Sequence, residues 1–112
     1  MSDLTFKEVV RKTTDVIEAF QKVEQRDWGV EGNMIELMKQ VGQLSQNVMV
    51  FEKYYLAIRD ENPIYNKASK DEIANELSDI LFMTIRIANH YGIDLEEAHI
   101  KELDIASASL KG

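Results

Sequence analysis

No cysteine occurs in this chain, which removes disulfides and thiolate chemistry together and fits a reducing compartment. Proline occurs once and glycine five times, so there are few places where a helix must break. Basic side chains are in the minority, 13 against 20 acidic ones, and the net charge is -7. They form no cluster that could track a phosphate backbone, so nucleic acid is not an expected partner. A small phosphorylated ligand would need a metal ion to screen it. No apolar run approaches the length of a membrane span. The segment MSDLTFKEVVRK has neither a basic n-region nor an apolar h-region, so no secretory leader and no membrane partner are expected. The expected location is cytoplasmic. What remains is 45% hydrophobic and 29% charged, a balance that folds rather than stays disordered. At 112 residues it suits one domain, 1–112, with one core.

Helical periodicity dominates. Thr5 and Glu8 have the spacing of a capping box and open a first helix. Its stripe is Phe6, Val9, Val10, Val16, Ile17, Phe20 and Val23, and Gln25-Arg26-Asp27-Trp28-Gly29 ends it. Gly32-Asn33 precedes a second, long pattern from Met34 through Val41, Leu44, Phe51 and Tyr55 to Ile58. DENPIYNKAS, residues 60–69, holds the proline and reads as a loop. Ser69 with Glu72 caps a third helix whose stripe is Ile73, Leu77, Ile80, Leu81, Ile85, Ala88 and Tyr91. Gly92 is its natural stop, and Asp94 with Glu97 opens a fourth helix through about Ser107. No segment alternates with period two. The expectation is all-α, an antiparallel four-helix bundle. Met34, Met38, Met49, Phe82 and Met83 put apolar surface on more than one stripe. Self-association would cover it, and so would the inside of a tight monomer.

Two polar pairs interrupt these apolar stripes. Glu76 and Asp79, at i, i+3, share a helix face where both carboxylates can reach one hard cation such as Mg²⁺. A solvated acidic face continuing from Asp71 and Glu72 has the same pattern. Gln40 and Gln43 repeat the spacing on the preceding helix, but amides carry no net charge. Unit charges about 4 Å apart interact by roughly 4 kcal/mol at an effective dielectric of ~20. Replacing two carboxylates by amides therefore removes several kcal/mol of attraction for a divalent ion, and hydrogen bonding across the bundle interior suits these amides better. Glu36, one turn earlier, is either a relocated ligand or the surface partner of Gln40. Trp28, beside Gly29, could stack on a base or cap the bundle. His90 and His99 have no nucleophile or acid at a telling spacing. There is no Gly-rich phosphate loop and no hydrolase triad motif.

The runs RDWGVEGNMIELMKQVGQLSQNV and NELSDILFMTIRIANHYGIDLEEAHIKELDIA together resemble the MazG-like all-α nucleoside triphosphate pyrophosphohydrolases, closest in flavour to their dCTP pyrophosphatase branch. The likeness covers roughly residues 20 to 107, and ELSDILF followed by GIDLEEA is its most specific part. It implies a helical bundle in which an ExxE helix faces an ExxD helix. Four acids there hold Mg²⁺, which engages the triphosphate, and water releases the monophosphate and pyrophosphate. It also implies a homodimer or homotetramer with the site near a subunit interface.

On this resemblance Glu76 and Asp79 are the metal ligands of the ExxD half, and Arg26-Asp27-Trp28 match the segment whose tryptophan holds the base. Gln40 and Gln43 stand where the other two metal-binding glutamates belong, and Lys39 stands where many members carry a further glutamate. Val41-Gly42 and Leu44 match the family's framework around them, which implies close packing at Gly42. The lysine and asparagine that assist with phosphate fall on Glu102 and Ala106. The departures are concentrated at the chemistry. The expectation is a member of this family without ordinary turnover, the alternatives being an enzyme with an altered metal site (Glu36, Glu76, Asp79 and the glutamine oxygens), a silent nucleotide- or protein-binding helical oligomer, and a helical oligomer with a structural role whose cleft is a relic.

Overall fold

The computed structural model describes residues 3–55 and 68–111, and these residues are all-helical, with four helices and no strand. Helix α1 spans Phe6–Gln21, α2 Gly29–Phe51, α3 Lys70–His90 and α4 Leu95–Lys111. None is long and apolar enough to cross a membrane. The expected loop lies largely outside the described residues, as does Ile58.

Local chemistry sets most helix ends. The Thr5 hydroxyl accepts from the Glu8 amide at 3.1 Å while the Glu8 carboxylate accepts from the Thr5 amide at 3.3 Å, a complete capping box. Ser69 accepts from the Glu72 amide at 3.2 Å, and Asp94 from the Glu97 amide at 3.0 Å, so both later caps hold as read. At the end of α3, Gly92 adopts φ +65°, its amide bonds Asn89 O, and the Ile93 amide bonds Ala88 O at 2.9 Å. These bonds make a Schellman motif, with glycine at the position that needs a left-handed backbone.

Four boundaries differ from the periodic reading. Helix α1 stops at Gln21 with Lys22 as its C-cap, short of Val23 and Gln25. Helix α2 starts at Gly29, with φ +60° and its amide on Asp27 Oδ1, rather than after Gly32-Asn33. It ends at Phe51 although the apolar period runs on. Lys53 turns left-handed at φ 64°, the Tyr54 amide bonds Met49 O and the Lys53 amide bonds Val50 O. The same motif stops this helix, but a lysine carries it, so no glycine announced the stop. Helix α4 continues past Ser107 to Lys111.

The chain separates into two compact units. The first joins Met1–Val30 to Ile85–Gly112, so it holds α1, α4 and the end of α3. Ile17, Ile85 and Ala88 are its buried apolar side chains, and Asn89 Nδ2 donates to Thr14 Oγ1 at 2.9 Å to tie α3 to α1. The second unit, Glu31–Thr84, holds most of α2 and α3 around Met83 and Val50. Part of the expected stripes stays exposed, including Leu77 and Leu81 on α3 and Val16 and Phe20 on α1.

Gly42 was expected to be a close-packing position within α2. Instead, an added Cβ there would meet nothing within 4 Å, and the residue is exposed. Gly42→Ala should therefore raise stability by ~0.5–1 kcal/mol through helix propensity alone. Gly92→Ala should lower it by about 1 kcal/mol, because alanine is strained at that φ. Urea denaturation of both variants checks the opposite signs.

Candidate functional site

In the second unit α2 presents Glu36, Lys39 and Gln40 on adjoining turns. One oxygen, Glu36 Oε1, takes two donors: Lys39 Nζ at 2.8 Å and Gln40 Nε2 at 2.8 Å. The i+3 and i+4 spacings make this possible on one helix. Since a carboxylate only accepts, the Gln40 nitrogen must face Glu36 and its oxygen must point away. Gln40 Oε1 is indeed buried and accepts no hydrogen bond from a described residue. Of the two expected roles for Glu36, the geometry brings out the pairing with Gln40. The two glutamines, read as a matched pair, part company. Gln40 is half-buried and bonds within its own helix rather than across the interior, whereas Gln43 is exposed.

Helix α3 supplies Glu76 and Asp79. Glu76 is half-buried with Oε2 out of solvent and without a described partner, and Asp79 is exposed. The charges of both act on Lys39, more weakly than that of Glu36 does. The Lys39 ammonium is held above its ordinary range, chiefly by its hydrogen bond to Glu36 and that carboxylate's charge. Burial opposes this, and Glu76 and Asp79 add smaller contributions. Glu76 is pushed up by burial first, then by the charges of Asp79 and Glu72; Lys39 pulls the other way without cancelling them.

A divalent ion fits this set poorly. Mg²⁺ needs near-octahedral oxygen ligation from carboxylates and water. Here the Glu36 oxygen on the α2 wall is already bound to an ammonium, and the remaining α2 donor that faces inward is a neutral amide oxygen. Among the described residues, no group of three or more His, Asp or Glu side chains is gathered closely enough to hold a metal ion.

Trp28 lies in the first unit, half-buried, with the Arg86 guanidinium 4.3 Å from its ring centroid. Arg86 is 5% exposed and grips Glu24 with both terminal nitrogens, Nη1 to Oε2 at 2.9 Å and Nη2 to Oε1 at 2.8 Å. Its Nε is buried without a described acceptor. One face of the indole is thus already covered by a cation. The periodic reading passed over this clamp. Its only trace was an arginine among Ile85, Ile87 and Ala88, on the apolar side of a helix. His90 packs edge-on against Tyr91, and His99, Glu102 and Ala106 are exposed on α4. A groove of about 500 Å³ in the same unit is lined by Lys7, Val10, Arg11, Ile93, Asp94 and Glu96, so the GIDLEEA run forms part of its wall.

No protein-family model, no curated protein and no solved structure matches the chain.

Two outcomes follow from these geometries. Arg86→Met leaves the Glu24 carboxylate unpaired and should cost about 3 kcal/mol in chemical denaturation. It should also shift the emission of the sole tryptophan. For Glu76, whose folded pKa is raised, the native state binds the proton more tightly than the unfolded chain. Stability is therefore greatest below the ordinary carboxylate range and falls as pH rises through the elevated value. Glu76→Gln should then melt higher than wild type at neutral pH, by a few °C, with the gap closing as pH falls toward the ordinary carboxylate range. Melting curves across that window measure it.

Proposed function

We propose that this chain is a MazG-like helical protein that keeps the scaffold of the nucleoside triphosphate pyrophosphohydrolases without the turnover. It uses the cleft between α2 and α3 to bind a nucleotide or a protein partner. The carrying observation is the state of the α2 wall. Its one inward carboxylate, Glu36, is engaged by Lys39 and Gln40, and Gln43 faces solvent. Pyrophosphohydrolysis asks the protein to gather cations around a polyanion as charge shifts in the transition state. Three carboxylates and a single ammonium do the reverse, since together they repel a bare triphosphate.

Glu76 and Asp79 correspond to the retained half of the family's metal site, and Trp28 to its base platform. Stacking on Trp28 is restricted to the ring face that Arg86 leaves uncovered. The same reading includes a homodimer or homotetramer. Supporting it are Ile35 and Met38, about 70% exposed on α2, and a 17-residue α4 without one buried side chain.

The decisive assay incubates purified protein with Mg²⁺ or Mn²⁺ and a panel of NTPs and dNTPs, then measures pyrophosphate. The expected result is no release above a protein-free blank. Robust release that Glu76→Ala abolishes would overturn the silent reading in favour of an enzyme with an altered metal site. A thermal shift induced by any of the same nucleotides identifies the nucleotide-binding arm. Light scattering should give a mass at least twice the 12.9 kDa of one chain.

A further inference from the structure

Helix α2 has its polarity turned outside in. A surface helix ordinarily buries an apolar stripe and gives its charges to solvent. Here the buried or half-buried side carries Asn33, Glu36 and Gln40 beside Leu37 and Leu44. Met34, Ile35, Met38, Val41, Val48 and Met49 are instead between 36% and 71% exposed. At about 3.6 residues per turn those six share less than half of the helix circumference with exposed Gly42 and Ser45, and no charge stands among them. Glu36 and Lys39 lie outside this face, and Glu31 and Glu52 close its two ends. Six side chains so exposed leave on the order of 500 Å² of accessible surface on each copy, and two copies reach the ~1,000 Å² that a specific interface needs.

The order of the residues points to what covers the face. Reversed about the midpoint between Val41 and Gly42, the row nearly repeats itself. Met34 falls level with Met49, Ile35 with Val48, Met38 with Ser45, and Glu31 with Glu52. A two-fold axis through that midpoint sets uncharged, mostly apolar side chains against their like along the contact, as isologous pairing requires. At the midpoint a Cβ on Gly42 would meet nothing within 4 Å, so two backbones can draw close there. A partner of unrelated sequence would gain nothing from this symmetry.

We propose that this face of α2 is a homodimer interface, in which α2 packs antiparallel on α2 of a second copy about a two-fold axis at Val41-Gly42. The proposal deepens the oligomeric part of the reading above and rests on it, independently of any nucleotide chemistry. Its cost is the pairing of Glu31 with the partner's Glu52 at both ends, a repulsion that salt screens.

A chain without cysteine makes the register easy to test. Full-length Val41→Cys, Met38→Cys and Ser45→Cys proteins are oxidised singly and in mixture. A disulfide needs Cα atoms within about 7 Å of each other. Val41→Cys should link to itself, and Met38→Cys should link to Ser45→Cys in the mixture. Neither of the latter two should link alone, because the two copies of either position stand about 10 Å apart along the helices. Met38 is 71% exposed in the single chain, so Met38→Lys should keep its helical circular dichroism. It should shift the dimer toward monomer about tenfold or more, since each dimer would bury two unpaired ammonium groups. Added NaCl should tighten the wild-type dimer; one that salt loosens is held by opposite charges, and the proposal falls. A wild type that is monomeric by light scattering overturns the proposal and the oligomeric reading together. A dimer that Met38→Lys leaves intact, or that links through Met38→Cys alone and not through the mixture, overturns the proposal only. Should Met38→Lys lose its helicity, the cross-linking pattern decides by itself.

Discussion

Charge that leaves water has to be met by opposite charge, and the two units meet that demand to different depths. In the first, the Arg86 guanidinium is almost wholly buried, and its fork matches both oxygens of Glu24 while its plane lies over Trp28. Planar, delocalised and weakly hydrated, guanidinium tolerates such a place better than an ammonium would. In the second, Lys39 stays largely in water and is bound at 2.8 Å to Glu36 of its own helix. The difference in depth predicts a difference in strength. A screened, half-solvated lysine contributes less than a buried bidentate pair.

The two cations also constrain the groups beside them. Arg86 covers one face of the indole, which leaves Trp28 a half-buried wall rather than an open stacking platform. Lys39 and Gln40 together tie up one carboxylate oxygen of Glu36 on α2. Three buried acceptors, Asn33 Oδ1, Gln40 Oε1 and Glu76 Oε2, are left in the second unit without a described donor. Burying an acceptor without a partner carries a cost, and such a cost persists where a site serves something other than stability. On the proposed reading of a binding cleft, its polarity favours groups that donate hydrogen bonds over naked phosphates.

Much of the architecture was legible along the chain. Four helical patterns were there to read, and three of their caps form as Thr5, Ser69 and Asp94 suggested, because capping is a local interaction between neighbours in sequence. Gly92 stops α3 for an equally local reason. The stop of α2 at Lys53 was hidden, since any residue can be driven left-handed when the surrounding contacts reward it, and lysine gives no warning. Gly42 misled in the opposite direction. Its place in a familiar framework suggested close packing, and the space around it turns out to be open.

At the site, the sequence by itself determined which side chains were available. It placed Glu76 with Asp79 on one helix face, put amides at Gln40 and Gln43, and supplied a lysine between Glu36 and Gln40. Helical spacing guarantees those neighbours. Only the tertiary structure decided the pairings. It turned Gln40 inward and Gln43 outward, brought Lys39 within reach of the α3 acids, and joined Arg86 to a glutamate 62 positions away. The physical reason is that Coulomb energy and desolvation depend on distance and burial. Both are set by the packing of helices far apart in the chain, and no periodicity records them.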